Sequence, residues 1–392
     1  MTKHSTTSDQ YPLSGVRVLD LADERAIYGA KLLADLGATV VRIESSAGDP
    51  LRDRGPFDNA GESLWFNYYA SNRHIITLDP TDEKAKTELK HILRGTDVVI
   101  DTGSLESRGM SLEDLERLNP QITYVDVASF SKTGPWRNYL APDLVAGALG
   151  GAAATTGDTD TTPLKLFGDQ SFLVSGVYAA IAGLAGLFQS SRTGLAEQID
   201  ISVHETIVST LEHVLMIAWY PEFVSYAKGN VLPRRGSLHW SNAYQVMTAI
   251  NGSLMVTPTP DVQKQIAWLA EEDLHEDLLD EKYNDLSLRQ VFIKRLMDIM
   301  GKWVSDKDAE TFFHEAQARH HPFGLVMKPD ELAGNVHLES RSWWEDYTVE
   351  NGVIKGPGSP YRFSRSSWKP PLETTVPHQD SEAIMQDIGW TK

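Results

Sequence analysis

Asp169, in the turn Leu166-Phe167-Gly168-Asp169-Gln170, stands directly ahead of Phe172–Phe188, a stretch that is almost wholly apolar. A carboxylate at the mouth of a buried helix is costly unless it has a partner or a task. Two readings follow. Asp169 caps the helix by accepting from its backbone N–H groups, or it is a nucleophile whose charge the helix N-terminus supports. Few other groups compete for chemistry. The chain has no cysteine, which removes thiol nucleophiles, disulfides and thiolate metal sites. His320-His321 is the nearest approach to a metal motif, but adjacent histidines point apart on a helix or a strand and no acidic cluster supports them. A structural role is expected for both, and no metal site.

The elements that must position Asp169 belong to a chain of 392 residues, 41% hydrophobic and 23% charged. That composition is ordinary for a soluble protein, and the length suits two or three domains. A formal net charge of −18 argues against nonspecific nucleic-acid binding and against docking on anionic lipid, while leaving room for a local basic pocket. Met1 to Tyr11 is polar and lacks the apolar stretch of a signal peptide, so a frayed tail over residues 1–12 and a cytoplasmic location are expected. Phe172–Phe188 falls short of the roughly 20 residues a bilayer span needs. Its Gly176, Gly183 and Gly186 suit close packing, so a buried core helix is expected and no membrane span.

Apolar runs and helical stretches alternate along the first half. Val16–Leu21 reads as a buried strand, Ala26–Leu36 as a helix ended by Gly37, and Thr39–Ile43 as a second strand ending at Glu44. Ile75–Leu78, a helix from about Thr81 to Arg94, and Val98–Ile100 continue the series. Ser111-Leu112-Glu113-Asp114 is a capping box that opens a helix, Asn119-Pro120 stops it, and Ile122–Ala128 follows as a strand. This alternation predicts an α/β fold, a doubly wound open sheet in a large domain, with ligands beyond the carboxyl ends of its strands. The first turn, Asp20-Leu21-Ala22-Asp23-Glu24-Arg25, lacks Gly-x-Gly-x-x-Gly and is acidic, which disfavours a dinucleotide. Gln198–Val203 and a helix from about His204 to Trp219 come after the apolar segment. Residues 221–242 read as a linker. Asn251-Gly252, between Tyr244–Ile250 and Ser253–Thr257, predicts a hairpin, and amphipathic helices up to about Gln317 complete a smaller α+β domain. The expected division is 13–224 for the large domain, 225–330 for the small one, and 331–392 for an extended segment returning to the large one.

Several short matches occur in order along the chain: Leu13-Ser14-Gly15-Val16-Arg17-Val18-Leu19-Asp20-Leu21, Leu33-Ala34-Asp35-Leu36-Gly37-Ala38, Gly48-Asp49-Pro50-Leu51-Arg52, Asn72-Arg73-His74, Gly150-Gly151-Ala152, Gly168-Asp169 and Arg192-Thr193-Gly194. In these the sequence resembles the class III CoA-transferases, and the similarity covers most of the chain. The resemblance implies an interlocked homodimer that moves CoA between an acyl-CoA and a free carboxylic acid, with CoA as substrate and product and no cofactor. It makes Asp169 the nucleophile, passing through a mixed anhydride and an aspartyl-CoA thioester. It places Asp143 as an assisting acid or an ordinary N-cap, and Arg42, Arg73 and Arg108 near the CoA nucleotide, where guanidinium forks suit phosphates. Arg25 stands where the family often has glutamine, and either recognises an acid's carboxylate or pairs with Asp23 or Glu24. Two features depart from the pattern. The family's glycine-rich loop has its nearest counterpart in Pro233-Arg234-Arg235-Gly236-Ser237, and the usual Thr-Gly-x-Gly-Gln is Thr193-Gly194-Leu195-Ala196-Glu197-Gln198. The racemase branch needs a histidine beside Asp143, and Tyr139-Leu140-Ala141-Pro142-Asp143 has none, which disfavours α-proton exchange. A non-catalytic CoA-binding subunit is the reading from a different class.

Overall fold

The computed structural model describes residues 11–79, 82–157, 161–211, 214–215, 219–220, 244–259, 261–349, 352–371 and 381–390. The expected tail up to residue 10, the linker at 221–242 and the candidate loop Pro233-Arg234-Arg235-Gly236-Ser237 lie outside them. Two compact units emerge. The first comprises Met1–Ala152, Lys165–Leu211 and His337–Lys392, and the second Ala153–Leu164 and Glu212–Val336. The first unit breaks off at Leu211, ahead of the linker expected at 221–242, and residues 153–164 belong to the second. Those positions depend on which residues pack together, which local sequence does not express.

The first unit is built on six strands: β1 Arg17–Leu21, β2 Thr39–Glu44, β3 Arg73–Thr77, β4 Val98–Asp101, β5 Thr123–Ala128 and β6 Glu197–Ser202. They lie in the order β3-β2-β1-β4-β5-β6, and every neighbouring pair is parallel. Val18, Leu19, Val40, Val41, Val99 and Ile100 are wholly buried, as expected for strands covered by helices on both faces. Leu19 pairs with Val41 on one side and Val99 on the other, so β1 and β4 flank the point where the winding reverses. That crevice, outside the carboxyl ends of β1 and β4, is where doubly wound sheets bind ligands.

The apolar segment forms one helix, Gln170–Thr193, ended by Gly194 at φ +72°. Its 24 residues are long and apolar enough to span a bilayer, so the shortness read from Phe172–Phe188 does not decide the matter. Packing does. Its buried positions Phe172, Gly176, Ala179, Gly183, Gly186 and Ser190 recur at helical spacing and face the sheet and the helix Ile27–Asp35. The approach leaves no room for side chains. A Cβ on Gly29 would lie 2.5 Å from the Gly176 carbonyl oxygen, and one on Gly186 2.4 Å from Thr123.

The capping box at Ser111 is present, its hydroxyl and the Asp114 carboxylate bonding reciprocally. In the second unit β7 Gln245–Thr248 and β8 Ser253–Val256 form the hairpin expected around Asn251-Gly252, and β9 Gly324–Leu325 extends it. The helices Val262–Glu271, Arg289–Ser305 and Ala309–Ala318 carry its core through Trp268, Trp303 and Phe312. His321 is buried there, stacked on Trp268 at 5.1 Å. Among the described residues no cluster of histidine and acidic side chains could hold a metal. The tail is more regular than the extended segment its composition suggested. Trp344–Val349 and Gly352–Pro357 pair as an antiparallel hairpin, and Ser381–Asp387 is a helix. Tyr347 rests against Tyr68 and over the Lys31 ammonium, while the indole of the buried Trp390 donates to the Ile92 carbonyl at 3.1 Å.

Candidate active site

Asp169 is the N-cap residue of Gln170–Thr193, yet its carboxylate makes no capping hydrogen bond. Asp143 has taken that duty. This residue opens the short helix Asp143–Leu149, and its Oδ1 accepts from the backbone N–H of Ser171 at 2.7 Å and of Phe172 at 3.2 Å. Its other oxygen pairs with Lys165 Nζ at 3.1 Å, leaving the side chain only 7% exposed. Lys165 also donates to the carbonyls of Leu166 and Gly168, so one ammonium ties the turn before Asp169 to the helix cap. Gly168 at φ +75° completes that turn. A Cβ there would meet only open space and Gln170 at 3.7 Å, so backbone conformation requires the glycine, not crowding.

Released from capping, the Asp169 carboxylate is 30% exposed and pairs with Arg54 Nη2 at 2.5 Å. The Arg54 guanidinium lies 4.5 Å over the Trp65 ring, a stack that fixes its plane. Tyr69 sits beside the pair and against Trp65; burial, then Tyr28 and Asp169, push its phenol up to about 12 while Arg54 lowers it. It stays a neutral hydroxyl near pH 7.

Arg42, Arg73 and Arg25 hold this architecture in place. Asp20, at the end of β1 and wholly buried, pairs with Arg42 at 3.0 Å and with Arg73 at 3.1 Å. The Arg73 side chain is 0% exposed, and it also donates to the carbonyls of Tyr69, Ser71 and Ile27. Burial lowers its pKa. These donors are enclosed in the core, where they tie the start of β3 to Asp20 of β1 and to the helix Ile27–Asp35. Arg42 is almost as enclosed. Burial works to lower its pKa, but Asp20 and Asp49 raise it above the usual value. Its bonds to Asp49 at 2.8 and 2.5 Å anchor the 3-10 turn Pro50–Asp53, whose N-cap is Asp49. Arg54 follows that turn directly, and its carbonyl accepts from Ser63. Arg42 therefore steadies the loop that delivers Arg54.

Arg25 is clasped by Asp23 at 2.6 Å and donates to the Thr102 carbonyl at 2.9 Å. This linkage joins the turns after β1 and β4, and the contact with Asp23 is the pairing that the sequence offered as one of two roles for Arg25. Burial opposes the Arg25 charge, and Asp23 more than compensates, raising its pKa. Around these turns lies a cleft of about 280 Å³, lined by Ala22, Asp23, Arg42, Ser45, Gly48 and Thr102 among others. Asp101 secures its rim by accepting from Thr102, Ser104 and Leu105 N–H groups. Arg108 caps the short helix Ser104–Ser107 on that rim. Its Nε donates to Ser104 Oγ at 3.3 Å, and partial burial lowers its pKa while Asp101 opposes the change.

Of the residues singled out from sequence, Asp169 and Asp143 are brought to one helix N-terminus, Arg42 lines the cleft at the sheet's edge, and Arg25 and Arg108 bond to Asp23 and Ser104 on its wall. Arg54 and Lys165 escaped sequence reading. Arg54 lies two residues beyond the match that ends at Arg52, and no local pattern links it to a partner 115 positions away. Lys165 had a faint signal, a lone base just ahead of the acidic turn.

Residues 13–380 match the family model described as CoA-transferase family III. The chain is 31% identical to the formyl-CoA:oxalate CoA-transferase of Streptomyces avermitilis, across 96% of this chain and 95% of that protein. It is 27% identical to succinyl-CoA:(R)-benzylsuccinate CoA-transferase subunit BbsE of Thauera aromatica, across 96% of this chain and 94% of that one. Its fold is similar to the crystal structure of a CAIB/BAIF family protein from Brucella suis, with a TM-score of 0.82 at 24% identity, covering 97% of this chain and 100% of the other.

Proposed function

The chain belongs to CoA-transferase family III, and from this premise we propose that it moves CoA from an acyl-CoA thioester to a free carboxylic acid, with Asp169 as nucleophile. The observation that carries the reading is the division of labour at the helix N-terminus. Asp143 accepts the capping N–H groups, so the Asp169 carboxylate is free to face solvent beside a cation.

The Asp169 oxygen adds to the thioester carbonyl, the C–S bond breaks, and CoA leaves as thiolate, forming a mixed anhydride. The thiolate attacks the aspartyl carbonyl and expels the donor acid as its carboxylate, leaving an aspartyl-CoA thioester. An incoming carboxylate reverses both steps and restores Asp169. Dividing the transfer this way replaces one difficult displacement by easier ones. The positive end of the Gln170–Thr193 dipole favours negative charge at Asp169. Asp143 acts as a positioning residue, through the helix cap and Lys165. The cleft outside β1, β2 and β4 suits the nucleotide of CoA, with Arg108 as its phosphate partner on the rim.

The family resemblance also supports a homodimer, and exposed apolar side chains on the first unit, among them Leu140, Leu144, Phe167 and Ile181, are consistent with surface that a partner covers. The decisive experiment incubates the protein with a panel of acyl-CoAs, traps the intermediate with hydroxylamine and locates it by mass spectrometry. The adduct is expected on the peptide containing Asp169, and Asp169→Ala should abolish transfer while retaining CoA binding. Unchanged transfer by Asp169→Ala would sink the mechanism.

A further inference from the structure

Resting on that reading, we infer that Arg54 is the docking site for the reacting carboxylate of the acid, held by Asp169 only while Asp169 is free. The inference comes from charge arithmetic at one contact. Arg54 pairs with Asp169 at 2.5 Å, and acylation converts that carboxylate into a neutral thioester. The guanidinium then stands uncompensated beside the reacting carbon at the step that requires an incoming carboxylate. A guanidinium presents five donors in a planar fork that matches a carboxylate, and Trp65 fixes its plane.

The neighbouring cations differ in one respect. Arg25 is held by Asp23, Arg42 by Asp49 and Asp20, Arg73 by Asp20, and Lys165 by Asp143. None of those acids changes charge during the reaction. Among these five cations, Arg54 alone is paired to an acid that the chemistry consumes. Its side chain is also 31% exposed, so a solute can reach it.

The exchange conserves charge and atoms. The acid's carboxylate replaces the lost Asp169 charge at Arg54, with one oxygen accepting from the fork and the other facing the thioester carbonyl carbon. The C–O bond forms, the C–S bond breaks, and the negative charge leaves on the CoA thiolate. The donor acid departs along the same contact in reverse. Asp169 and the acid thus occupy one cation in turn, and the free Asp169 carboxylate reclaims Arg54 once the acid has become an acyl-CoA.

The test uses Arg54→Gln and Arg54→Lys in the full-length protein, with thermal midpoints confirming that both fold. Thioester formation from the acyl-CoA donor alone is followed by mass spectrometry, and its breakdown is compared for the acid and for hydroxylamine, a neutral nucleophile with no carboxylate to dock. Arg54→Gln is expected to form the thioester and lose it normally to hydroxylamine. Its KM for the acid should rise roughly 10- to 100-fold, the loss expected when a charged hydrogen-bond partner is removed, with Arg54→Lys falling between. An unchanged KM for the acid, or equal slowing with acid and hydroxylamine, overturns the inference while leaving the aspartyl mechanism intact. Failure of Arg54→Gln to form a thioester that the parent protein forms also overturns it, because Arg54 would then serve to orient Asp169. Absence of any thioester in the parent protein sinks the mechanism itself, and the docking role with it.

Discussion

Asp143 and Asp169 share one helix N-terminus, and the allocation between them sets the chemistry available to each. Asp143 accepts two N–H groups that would otherwise be orphaned at the helix start, and Lys165 balances its charge. Asp143→Ala leaves those N–H groups without their acceptor and the Lys165 ammonium without its acid. It should cost about 1–3 kcal/mol of stability and reduce turnover by displacing the turn that carries Asp169. Asp143→Asn retains an accepting oxygen and is a good cap, so it should keep most of the stability. Urea unfolding and steady-state rates of the two variants test this, and equal stability losses would refute the capping account. The sequence showed an acid at the mouth of an apolar helix. It left open whether that acid was the cap, because the acid that does cap comes from a different helix.

At the scale of elements, the contact between Ile27–Asp35 and Gln170–Thr193 depends on paired glycines. Gly29→Ala would press a methyl to 2.5 Å from the Gly176 carbonyl, and overpacking of this kind costs about 1–3 kcal/mol. A lowered thermal midpoint is expected, and an unaltered one would show that the helices separate freely. In the second unit, burial lowers the pKa of His321, assisted by Arg319, Lys264 and His320. Its Nδ1 lies buried without a hydrogen-bond partner. Above about 6.5 the imidazole is neutral in folded and unfolded chains alike, and its packing stabilises fully. As pH falls below that value the unfolded chain takes up a proton that the folded one resists. Stability therefore declines until the lowered folded value is passed. His321→Phe should flatten the pH dependence of unfolding in this window, and an identical slope would assign it to other groups. The elements were legible in the sequence because their signals are local: the capping box at Ser111, the Asn251-Gly252 turn and the apolar runs of the strands. The tail was not. Its hairpin forms where Tyr347 meets Tyr68 and Lys31, a contact no window of sequence contains.

Across the whole molecule, the chain returns from the second unit to complete the first. Trp390, close to the C-terminus, fills space beside Gly95 and donates to Ile92 in the helix Glu83–Arg94. Trp390→Ala should cost about 3–5 kcal/mol, as expected for emptying a buried aromatic site. Denaturant unfolding followed in the sheet-bearing unit would reveal the loss. A midpoint equal to that of the parent protein would mean that the tail is docked without supporting the core. The same return explains why the compact units are discontinuous in sequence.

The sequence by itself determined the alternating strands and helices, the absence of thiol chemistry, the acidic first turn that disfavours a dinucleotide, and the placement of Asp169 before an apolar helix. Each is a property of residue type or short-range spacing. Tertiary structure alone decided which carboxylate caps that helix, which arginines are enclosed around Asp20 and Asp49, and which one meets Asp169. Those outcomes depend on groups brought together from distant parts of the chain, where burial and the nearest opposite charge fix each side chain's role. Asp169 acquires its setting from Asp143, Lys165 and Arg54, and only the folded chain places all three around it.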